Sequence, residues 1–106
     1  MTKCQFPRLV FPFVFDDKAA YDAESRGYQA DVVVELADGS TFKLVFYDLC
    51  RLRQDLEEEE KAGNPFVADP GMVVLARVTS GNMTKAVDRL FKEGFFSHLV
   101  CEKTNK

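Results

Sequence analysis

Four consecutive carboxylates, Glu57, Glu58, Glu59 and Glu60, form the most unusual run in the chain. Successive helical residues turn about 100° around the axis, so four of them nearly encircle it and cannot share one solvated face. The apolar positions before them, Leu49, Leu52 and Leu56, make a core stripe whose next members are Glu59 and Glu60. The spacing predicts a helix that stops burying itself about halfway along. Anions at a helix C-terminus oppose the macrodipole by roughly 0.3 to 1 kcal/mol each. One Glu57 to Lys61 pair at i, i+4 returns only about 0.2 to 0.5 kcal/mol. Three readings fit such an end: charge projected into water, an acidic protrusion that recognises a basic partner, and a divalent-cation site. The last is the weakest, because consecutive carboxylates on a helix diverge, whereas calcium takes oxygens that converge from a turning loop.

Lys85, Arg89 and Lys92 recur at i, i+4 and i+7 and lay a basic stripe beside an apolar one. Such a stripe is a solvated helix face or a dock for an acidic partner, including the glutamate end of a second copy in a homodimer. Nucleic acid is not the expected partner, because the chain is acidic, with a pI of about 5.1, and carries neither an RNA-binding aromatic pair nor a helix-turn-helix.

His98, the only histidine, stands three residues before Cys101. A zinc site takes four ligands, commonly as paired Cys or His at short spacing, and no second pair accompanies this one. Cys50 near a helix N-terminus has a route to a lowered pKa, yet a free cysteine is most often buried filler. Ser80-Gly81-Asn82 leads from an apolar run into a helical one, where anions can bind. However, neither phosphate-cradling glycine pattern is present. Ser80, Asn82 and His98 are the polar candidates if the chain holds a small ligand. No catalytic residues, metal ligands or cofactor are expected. The stretch from Asn64 to Gly71, with Pro65, Phe66 and Pro70, is longer than a usual helix-to-strand link. Phe66 is expected to pin it to the core or to offer a contact surface.

The elements that must position these residues follow from local pattern. Arg8 to Phe15 alternates Leu9, Phe11, Phe13 and Phe15, and Pro12 confines that strand to an edge or a bulge. Asp16 to Gly27 opens on capping residues and closes on glycine, which allows a short helix with a thin apolar stripe. Tyr28 to Leu36 places Ala30, Val32, Val34 and Leu36 on one side, opposite Gln29, Asp31 and Glu35. The alternation resumes from Thr41 with Phe42, Leu44 and Phe46. Asp38-Gly39 between these runs predicts a hairpin. Asp48 caps a helix from Leu49 to about Ala62, with Gly63 past its end and Pro65 preventing continuation. Met72 to Val78 reads as a buried strand. Asn82 caps a last helix on which Met83, Ala86, Val87, Leu90 and Phe91 share a face, and Gly94 stops it. Phe96 to Cys101 is expected as a short closing strand, and residues 102–106 as a frayed tail.

Together these predict one α+β domain over residues 1–106. A single mixed sheet of four to five strands, built from a β-hairpin and a β-α-β crossover, carries two main helices in the order β(α)ββαβα(β). Without the last helix and strand, and with Asp16 to Gly27 helical, that order matches the βαββαβ plan of ferredoxin-like folds.

At 46% hydrophobic and 29% charged residues, the composition excludes disordered and low-complexity classes. Three widely spaced cysteines and a start interrupted by Pro7, Arg8 and Pro12 predict a reducing, cytoplasmic setting, and no apolar stretch is long enough for a membrane. Net charge is -3, but residues 16–69 hold 14 acidic against 6 basic side chains, while the flanks hold 3 against 8. Charge segregation without a catalytic cluster points to a non-enzymatic interaction module, working through Glu57 to Glu60, Phe66 and the Lys85, Arg89, Lys92 face. The alternative is a small enzyme or ligand-binding domain with a pocket between sheet and helices.

Overall fold

The structure, a computed structural model, describes residues 7–98. The elements run β1 (Arg8–Val10), α1 (Asp17–Arg26), β2 (Tyr28–Glu35), β3 (Thr41–Tyr47), α2 (Leu49–Lys61), β4 (Met72–Val74) and α3 (Ser80–Lys92), followed by a 3-10 turn, Phe95–His98. The four strands form one mixed sheet in the order β1-β2-β3-β4. β1 and β2, and β2 and β3, pair antiparallel, while β3 and β4 pair parallel across the α2 crossover. The fold is thus α+β with a single mixed sheet. Its strand order departs from the ferredoxin-like plan, because β1 pairs directly and antiparallel with β2.

Local chemistry explains most boundaries. Asp16 accepts a hydrogen bond from the Ala19 amide at 2.9 Å, and α1 ends at Gly27 with φ 67°, a conformation that a Cβ disfavours. In the hairpin, the Asp38 carboxylate accepts from the Ser40 amide at 2.9 Å, and Gly39 supplies the positive φ of 91°. Asp48 caps α2 through the Arg51 amide at 2.8 Å.

Five expectations are corrected. The first strand ends at Val10, because the chain bends at Pro12 and Phe13. Phe11 and Phe15 stack at 4.1 Å between ring centroids and pack on the core, whereas Phe13 is exposed. β4 spans only Met72–Val74 and is an edge strand with Val74 exposed, so it is not the buried strand its valines suggested. The cap of α3 is Thr79, whose hydroxyl accepts from the Asn82 amide at 3.1 Å, while Asn82 lies inside the first turn and donates through Nδ2 to Arg77 O. Residues 95–98 form a 3-10 turn rather than the start of a strand. The expected tail at 102–106, together with Cys4 and Cys101, lies outside the described residues.

The fifth correction is in β2. Its register with β3 slips between Gln29 and Val32, where Asp31 takes φ 60°. Two residues of β2 there, Ala30 and Asp31, stand against one of β3, Val45, which is the signature of a bulge. The slip turns Gln29, expected on the polar side, into the core beside Phe46, where it is only 3% exposed. Its Nε2 donates to Ala30 O at 3.0 Å, and its Oε1 has no hydrogen-bond partner among the described residues.

The core lies on one face of the sheet. Val32, Val34, Phe42, Leu44 and Phe46 pack there against Ala23 of α1, Met83 and Val87 of α3, and Phe96. Side chains alternate along a strand, so Tyr47, next to Phe46, leaves the sheet on the opposite face. Helix α2 lies over that end of the opposite face, with the Arg51 guanidinium 4.5 Å from the centroid of Tyr28, the partner of Tyr47 in the ladder.

Candidate functional site

A crevice of about 440 Å³ opens between α2, the end of β3 and the segment that follows α2. Tyr47 forms its floor, Asp55, Glu58 and Glu59 come from α2, and Asn64 and residues 66–69 close the far side. Helical spacing explains the α2 contribution, because Asp55, Glu58 and Glu59 stand at i, i+3 and i+4 and share a face. The carboxylate of Glu59 is held by Asn64, whose Nδ2 donates to Oε1 at 3.0 Å, while the Asn64 amide donates to Glu59 O at 2.8 Å. The connecting segment is thereby folded back against the end of the helix.

Four carboxylates, Asp55, Glu58, Glu59 and Asp69, line the crevice, and among the described residues no lysine or arginine does. Asp55 is paired with Arg51 at 3.1 Å, in an i, i+4 pair. The Tyr47 phenol registers the local field. Burial first, then the charges of Asp55, Tyr28 and Asp69, push its pKa above the usual tyrosine value. The hydroxyl therefore stays protonated and is no general base near neutrality. Among the described residues, serine, cysteine, histidine and lysine are missing from the lining. What it offers is negative charge, an amide and a hydroxyl beside the apolar surfaces of Phe66, Val67 and Ala68. That chemistry suits a cationic group on an aliphatic stem.

Of the residues singled out from the sequence, Glu58, Glu59 and Phe66 come together here. Phe66 is not pinned in the core: it is 62% exposed and forms the outer wall of the crevice. Glu57 and Glu60 are exposed and point elsewhere around the helix. Lys85, Arg89 and Lys92 lie on α3 and do not line the crevice, and Arg89 is paired with Glu93 at 2.6 Å. Ser80 and Asn82 sit in the first turn of α3, away from the lining, and the His98 side chain lies outside the described residues. Sequence reasoning missed Tyr47, Asp55 and Asp69. The i, i+3, i+4 relation of Asp55 to Glu58 and Glu59 was a usable signal for one of them, but only the tertiary fold brings in Tyr47 and Asp69.

Among the described residues no group of three or more His, Cys, Asp or Glu is arranged to hold a metal ion. No helix among them is long and apolar enough to cross a membrane. Comparison with protein-family models, with curated proteins and with solved structures finds no match.

Proposed function

We propose that this protein is a non-enzymatic interaction module that docks a basic segment of a protein partner in the crevice beside α2. The observation that carries the reading is a lining of four carboxylates, of which Asp55 alone is paired with a cation among the described residues. A lysine or arginine entering there finds carboxylates for its head and the Phe66 to Ala68 wall for its stem. Lys85 and Lys92 on the exposed face of α3 have the right charge to be that partner in a second copy, which would make the molecule self-associating.

The test is a titration of labelled oligolysine by fluorescence anisotropy at low and high salt. Saturable binding that weakens with salt is expected. The Glu58→Gln, Glu59→Gln double variant should bind at least about tenfold more weakly, a difference of about 1.4 kcal/mol. Equal binding by the variant, or none by the natural protein, sinks the reading. Sedimentation of the protein alone then separates a foreign partner from a second copy.

A further inference from the structure

Helix α2 is amphipathic, yet it turns its apolar face away from the sheet. Arg51 and Asp55 mark the inward side, through the Tyr28 ring and the crevice. Leu49, Leu52 and Leu56, at i, i+3 and i+7, are centred about 110° around the axis from that side. Leu49 is 66% exposed, Leu56 is 39% exposed, and no residue of α2 is buried. An ordinary surface helix buries its apolar stripe and shows water its charges. Here charged residues face the sheet, Leu52 is half-buried, and among the described residues the leucine stripe has no partner in the core cluster.

The stripe meets the edge of the crevice at one residue, Glu59. Glu59 follows Leu56 by three residues and Leu52 by seven, so it continues the leucine line while also lining the acidic cleft. Glu60, at i+4 from Leu56, borders the line on its other side. An occupant of this surface must therefore supply apolar side chains at helical spacing and, beyond them, positive charge. A lipid surface does not meet that demand, because the glutamates would be repelled by anionic headgroups.

We infer that α2 is the seat for an amphipathic basic helix of a protein partner, with its apolar residues on Leu49, Leu52 and Leu56 and its lysines or arginines on Glu59 and the crevice. This rests on the acidic docking proposed above and specifies the form of the partner. Helix-on-helix recognition of this kind reads anchors at three- and four-residue intervals.

Two synthetic peptides of about 18 residues test it, long enough for some five helical turns. They have identical composition: one places its leucines at i, i+3 and i+7 with lysines following, and the other permutes the order so that leucines surround the axis. The protein should bind the first at least about tenfold more tightly. The Leu49→Ser, Leu56→Ser variant, with its fold checked by circular dichroism, should lose that preference and keep the weak, salt-sensitive binding of both. Equal affinity for the two peptides overturns the inference while leaving acidic docking intact. Absence of binding to either overturns both. A homodimer in sedimentation that the leucine variant abolishes also overturns the inference, because the seat would then be filled by a second copy.

Discussion

Tyr47 sits where the core ends and the acidic crevice begins, and its ionisation connects the two. Its folded pKa lies above the unfolded value, so the stability it contributes is complete below about pH 10 and fades as pH rises through the folded value. The Tyr47→Phe protein should show a shallower alkaline loss of stability, measured by urea denaturation across that range. Unchanged slopes would assign the loss to another group. A bound cation should draw the same pKa back toward the ordinary tyrosine value, seen as an earlier rise in tyrosinate absorbance when basic peptide is present. Gln29 makes a different point at this scale. Its unpartnered Oε1 in the core costs about 1 to 3 kcal/mol. Gln29→Met should accordingly be neutral or stabilising in thermal denaturation, and a clear loss would mean that the oxygen is satisfied in solution.

The elements differ sharply in what they bury, and mutational cost should follow. Leu44→Ala, in the centre of β3 and 1% exposed, should cost about 2 to 5 kcal/mol. Leu49→Ser or Leu56→Ser, on a helix with no buried residue, should stay within about 0.5 kcal/mol. Denaturant midpoints decide the matter, and a cost above 2 kcal/mol at Leu49 would place the stripe in the core after all. Gly27 joins two elements, because a Cβ there would meet the Asp48 carboxylate that caps α2, and its φ of 67° strains any other residue. Gly27→Ala should destabilise by more than about 1 kcal/mol. Much of this level was legible in the chain. Asp16, Asp38-Gly39, Asp48 and Gly94 act through neighbours a few residues away, which a sequence displays directly. Thr79 displaced Asn82 as a cap because both stand at one helix start, and only the backbone decides which residue is still extended. The orientation of α2 was hidden for a deeper reason. A leucine stripe tells which side of a helix is apolar, but not whether the sheet offers that side a place.

For the whole molecule, the crevice shows why a site can escape a reading that finds every element near it. Glu58, Glu59 and Phe66 were visible as unusual residues, yet Asp69 meets them only because the connection after α2 folds back, and Tyr47 only because β3 ends beneath the helix. The two faces of the sheet also have different fates. One is sealed by α1 and α3, and the other is covered at one end by a helix that contributes nothing to the core cluster. Free energy must then be unevenly distributed, since resistance to local opening follows buried apolar contact. Amides of α2 should exchange with deuterium through partial openings while those of β3 and α3 wait for global unfolding. A partner that occupies the leucine seat would slow exchange in α2 selectively. The chain would then be a rigid sheet with one loosely held helix, ordered fully only when something else completes it.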